Sequence, residues 1–191
     1  MKYFTPDRFI RLQDRTNEGA TRAAMQEWEA ATSRYGLHIE QLLPGLPKAV
    51  LSFLKSGSLH DAEVIAVWQK NSEHLHIMVQ QERESAKAIL LAYALASPPR
   101  INTAVLPECY RTPTPTWLYD EIDLASGPAP RVSRRTSKRG RETVFSHAIL
   151  LSNGSELQLR FHRLTVSDNT VLLPGLAQGR SALGGVIPRS G

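Results

Sequence analysis

Apolar residues recur at helical spacing before Gly57 and alternate as in strands after it, so the pattern divides the chain into a helical first third and a sheet-forming remainder. Thr5-Pro6-Asp7 opens a first helix over 6–15: a hydroxyl to accept an orphan N–H, a proline with preset φ, then an acid near the positive end of the dipole. Asn17 caps a longer helix over 18–35, in which Ala20, Ala23, Ala24, Met25, Trp28, Ala31 and Tyr35 form an apolar stripe. Gly36 then stands where a left-handed C-terminal cap belongs. Pro47 opens a third helix that ends near Gly57, with Val50, Leu51 and Leu54 facing inward.

The alternating region begins with a hairpin, residues 59–68 and 75–79, turning at Asn71-Ser72. Its expected inner face carries Ala62, Val64, Ala66, Trp68, Leu75, Ile77 and Val79, a register that sets His76 opposite Val67 and His74 opposite Gln69. Ile89, Leu91, Tyr93 and Leu95 alternate over 87–96. Propensity alone allows a helix there, and the β neighbours on both sides decide for a strand, stopped by Ser97-Pro98-Pro99. After the loop Thr112-Pro113-Thr114-Pro115 comes a strand over Trp117–Leu124, then a flexible connection over 126–140. A last hairpin, Phe145–Ser152 and Ser155–Leu164, turns at Asn153-Gly154. The expected fold is α+β, with N-terminal helices packed on an antiparallel sheet of five or six strands. Residues 1–168 form one domain in this reading, helical over 5–57 and sheet over 58–166, and 169–191 form a flexible C-terminal tail.

Composition is that of an ordinary globular domain: 41% of the 191 residues are hydrophobic and 21% charged. No apolar run is long enough to cross a bilayer, and the opening Met1-Lys2-Tyr3-Phe4-Thr5-Pro6-Asp7 lacks the features of a secretory signal, so a cytoplasmic location away from membranes is expected. A single cysteine, Cys109, agrees with a reducing compartment and carries no nucleophile signature around it. The net charge of +5 is concentrated in one place. Of the 23 basic residues, six (Arg131, Arg134, Arg135, Lys138, Arg139, Arg141) fall in one acid-free segment, while the whole chain holds 18 acids, so the remainder is close to neutral.

Three short segments carry a resemblance: Lys2-Tyr3-Phe4-Thr5-Pro6, Leu59-His60-Asp61-Ala62 and Leu151-Ser152-Asn153-Gly154-Ser155-Glu156-Leu157. Together they resemble an uncharacterised bacterial family of unknown function, over most of residues 1–166. The resemblance implies a bacterial cytoplasmic α+β domain and brings no activity or catalytic residues with it.

Candidate chemistry is sparse. His60-Asp61 resembles the dipeptide of metal-dependent phosphohydrolases, yet on a strand the two side chains point to opposite faces, which disfavours joint chelation. His74 and His76 share a face, with Glu63 and Asp61 about 13 Å or more along the strand; a metal site on His60, Asp61, His74 and His76 would need His147 or His162 from the last hairpin. Glu121, in the acidic run that follows Trp117 and Tyr119, would form an acid–base pair with Glu63 if their strands were neighbours. Phosphate-binding loop, dinucleotide fingerprint, nucleophile elbow and Cys-x-x-Cys are all absent. The favoured reading is a non-enzymatic binding or interaction domain with no cofactor and an unknown protein partner. Two readings compete with it: weak nucleic-acid binding through Arg131, Arg134, Arg135, Lys138, Arg139 and Arg141, with hydroxyls between them to meet phosphates, and a metal-dependent hydrolase using the histidines.

Overall fold

A computed structural model describes residues 1–14, 16–55, 59–81, 87–103, 105–125 and 143–170. The helices begin where their caps predict. Thr5 accepts from the Arg8 amide at the start of α1 (Pro6–Gln13), and Asn17 accepts from the Ala20 amide at 3.1 Å to start α2 (Glu18–Leu42). The expected stop at Gly36 is a miss: α2 runs on for six residues, and Gly36 sits exposed inside it. A mid-helix glycine costs about 1 kcal/mol relative to alanine, which the continuing inward stripe of Tyr35, Ile39 and Leu42 offsets. A 3-10 turn at Leu43–Gly45, containing Pro44, ends it, and α3 (Lys48–Lys55) follows.

Among the described residues seven antiparallel strands follow: β1 (Glu63–Asn71), β2 (His74–Gln80), β3 (Lys87–Leu95), β4 (Arg100–Asn102), β5 (Trp117–Leu124), β6 (Phe145–Leu151) and β7 (Glu156–Thr170). The class is α+β as expected, with more strands than the five or six anticipated. The sheet runs β1-β2-β3-β7-β6-β5, and the short β4, too brief to show alternation, pairs with β7 beyond the end of β3. β7 extends two residues into the segment expected as tail, pairing Thr170 with Lys87; residues 171–191 lie outside the described ones.

The two ends of this sheet meet. Glu63 bridges Thr116, Val64 donates to the Pro115 carbonyl at 2.9 Å, and Trp117 and Ala62 are joined by a 2.8 Å backbone bond. The sheet therefore curls until its edge strands touch at one end. Inside the curl α3 and the turn before it supply Leu46, Val50 and Phe53 to a core shared with Ile77, Leu91, Trp117, Ile149 and Phe161. A smaller cluster of Phe9, Leu106, Leu118 and Leu150 covers the outer face of β5 and β6. These two strands are thus buried on both sides.

One register expectation fails for a visible reason. Pairing slips between Val64 and Ala66 and again between Gln69 and Asn71, so His76 faces Trp68 and His74 faces Asn71. A bulge reverses the faces of every later residue on its strand. Ala62 and Val64 point inward as expected, whereas Trp68 is 39% exposed and stacks flat on His76 at 5.0 Å between ring centres.

Candidate functional site

β5 and β6 carry a line of polar groups through the apolar core. His147 follows Phe145 and precedes Ile149 on the inward face of β6 and has no exposed surface. Its Nδ1 lies 2.9 Å from the hydroxyl of Tyr93 on β3, and its Nε2 lies 3.0 Å from Oδ2 of Asp120 on β5. Burial, with a smaller contribution from the Asp120 charge, raises the Tyr93 pKa well above the ordinary tyrosine value, so its hydroxyl keeps its proton and is able to donate to Nδ1. In the tautomer in which Nδ1 accepts, Nε2 carries the ring proton and donates it to Asp120. The other Asp120 oxygen accepts from the Trp117 indole at 2.8 Å. In that arrangement two neutral donors fix the carboxylate without cancelling its charge.

Asp120 is the one member of this line that reaches solvent, with 20% of its side chain exposed. It opens into a cleft of about 610 Å³ between α2, α3 and β5. Phe4, Trp28, Tyr35, His60 and Tyr119 supply aromatic walls, and Thr32 a hydroxyl. The rings pack on one another: Trp28 and Tyr119 centres are 4.5 Å apart, Phe4 and Trp28 5.2 Å, and His60 stacks on Tyr119 at 4.9 Å. Tyr35 also closes the free edge of β5 by accepting from the Ile122 amide at 2.8 Å. Burial is the main cause that raises the pKa of both Tyr35 and Tyr119, which keeps these hydroxyls neutral.

Glu121, next along β5 and facing the other way, places the Phe4 wall. Its buried carboxylate accepts the amides of Lys2, Tyr3 and Phe4, each at 2.6 Å. An anion that gathers several backbone N–H groups this way is a strong, directional anchor. The conditional partnership with Glu63 does not form: the bridge from Glu63 falls on Thr116, the residue before β5 and five short of Glu121, and Glu121 pairs across to Ala148.

The residues singled out as metal ligands separate into two places. His60 and Asp61 lie in a turn before β1, where Asp61 has a positive φ of 64° and its amide donates to the Trp117 carbonyl at 2.8 Å. They are therefore not alternating strand residues; their side chains come within 3.6 Å of each other, and His60 Nδ1 contacts the Leu118 carbonyl. His74 and His76 are at the far end of the hairpin, His74 3.0 Å from the Asn71 side-chain oxygen and His76 against Trp68. Among the described residues no three His, Cys, Asp or Glu side chains group as a metal site. Arg131, Arg134, Arg135, Lys138, Arg139 and Arg141 lie outside the described residues. Cys109 is exposed in a 3-10 turn, Glu108–Tyr110.

Sequence reasoning missed Asp120, His147 and Tyr93 as a group. One signal was present: a histidine at an inward position of an apolar strand must find polar partners or bear the cost of burial. Which partners it finds depends on the strand order β3-β7-β6-β5, which places Tyr93 and Asp120 on either side of it. No family model matches the chain, and no curated protein matches it either. The class that the structure defines is an α+β protein with a curled antiparallel sheet and a carboxylate-floored aromatic cleft. No described helix is long and apolar enough to cross a membrane.

Proposed function

We propose that this chain is a non-enzymatic binding domain whose ligand sits in the cleft between α2, α3 and β5. The observation that carries the reading is the convergence of Asp120, Thr32 and His60 on a concave, aromatic-walled space of about 610 Å³, the size and chemistry of small-molecule and side-chain pockets. The Tyr93–His147–Asp120 line supports binding rather than proton transfer. Both ring nitrogens of His147 are engaged and the ring is fully buried, so Asp120 is the one group of the line that a bound molecule can touch. The line instead holds Asp120 in place, as the supporting shell of a recognition site does.

Screening a fragment library by ligand-observed NMR tests this. Binders should lose their signal changes with Thr32→Trp, an exposed α2 position at the cleft where an indole fills the space, while the melting temperature stays within a few degrees of wild type. Binders that persist in that variant, or a library with none, would overturn the reading.

A further inference from the structure

Taking the cleft as the ligand site, we infer that it selects an organic cation, a substituted ammonium with an apolar body, over neutral and anionic molecules of the same shape. Charge is the first argument. Asp120 is the acid among the described lining residues, and neither lysine nor arginine is among them. Its described hydrogen-bond partners are the Trp117 indole and the His147 imidazole, and both are neutral when Nδ1 accepts from Tyr93. That arrangement leaves a full negative charge facing the cleft, which attracts a cation and repels an anion.

The walls are the second argument. Trp28, Tyr119, Phe4 and Tyr35 form a continuous cluster, with Phe4 5.3 Å from Tyr35 and 5.6 Å from Tyr119. Aromatic faces carry the negative side of the ring quadrupole, and an alkylated ammonium, weakly hydrated and apolar in surface, is the cation that gains most from them. Asp61 adds further negative potential from the rim beside His60, close enough to contribute, after burial, to the raised Tyr119 pKa. A bare metal ion fits less well: a single carboxylate on the floor offers too few ligands, and hard cations gain little from rings.

Choline and its uncharged carbon isostere, 3,3-dimethylbutan-1-ol, differ in charge and hardly in shape. Titrating each at 0.15 M salt, read by the backbone amide resonances of Thr32 and Tyr119 at the cleft, should show choline binding at least tenfold more tightly. Asp120→Asn should remove that preference and leave weak binding of the alcohol. Trp28→Leu, which leaves the buried polar line untouched, should weaken choline more than the alcohol and serves as the second variant if Asp120→Asn fails to fold. Equal binding of choline and the alcohol in wild type would overturn the cation inference and leave the cleft as a ligand site. Absence of choline binding, with neutral fragments still occupying the cleft, would overturn it too; absence of every binder would remove both readings together.

Discussion

Asp120 Oδ2 lies 3.0 Å from Nε2 of His147, an imidazole with no exposed surface, so the only described carboxylate on the cleft floor is held by a side chain from the middle of the core. This pair joins stability to recognition. Whatever alters the buried ring must also alter the group presented to a ligand.

Replacing that ring should be costly. His147→Ala removes a partner from both Tyr93 and Asp120 and leaves a cavity beside Phe53, whose ring lies 5.6 Å away, so a loss of about 3–5 kcal/mol is expected in urea unfolding. Tyr93→Phe, which strands only the Nδ1 acceptor, should cost about 1–2 kcal/mol. Similar small losses for both would mean that the line contributes little.

High pH should unfold the protein through its tyrosines. Burial raises the pKa of Tyr93 and Tyr35 in the folded state above the ordinary value of 10.0, so both states are protonated below that pH and stability does not depend on these groups. Above it the unfolded chain ionises first, and stability falls by about 1.4 kcal/mol per pH unit for each such tyrosine until the folded pKa is passed. Tyr93→Phe should flatten the decline measured by urea unfolding between pH 9 and 11. An unchanged slope would contradict the buried hydroxyl.

Glu121→Gln should loosen the segment that carries Phe4. A neutral amide offers one acceptor where three backbone N–H groups now meet a carboxylate, so a loss of about 2–3 kcal/mol is expected, with hydrogen exchange accelerated at Tyr3 and Phe4. Exchange that stays slow at these two amides would show that the segment is held by packing alone.

Trp68→Ala tests the bulged register of β1. With Trp68 on the outer face against His76, the loss should stay below about 1 kcal/mol, whereas an inward tryptophan would cost about 3–5 kcal/mol.

Much of this architecture is written locally. The caps at Thr5 and Asn17, the alternation of Ile89, Leu91, Tyr93 and Leu95, and the Asn153-Gly154 turn, with Gly154 at a φ of 81°, act within a few residues and are found where the pattern places them. What eluded the sequence depends on distant partners. No periodicity marks the bulge near Ile65 that turns Trp68 outward, and Gly36 reads as a stop only because its local preference is visible while the packing that carries α2 to Leu42 is not. Glu121 finds its backbone partners 117 to 119 residues away, and Asp120 meets His147 only once β5 and β6 pair. The basic residues between 131 and 141 remain a reading of composition.

The account turns on Asp120 standing in the cleft as a carboxylate with a neutral ring behind it. Nitrogen-15 NMR of the His147 imidazole at neutral pH measures this directly. The predicted spectrum has the proton on Nε2, donated to Asp120, and an unprotonated Nδ1 accepting from Tyr93. A ring protonated on both nitrogens would cancel the Asp120 charge, and a proton on Nδ1 with a bare Nε2 would require Asp120 to be the protonated partner; either result leaves the cleft floor without a net charge and contradicts the account.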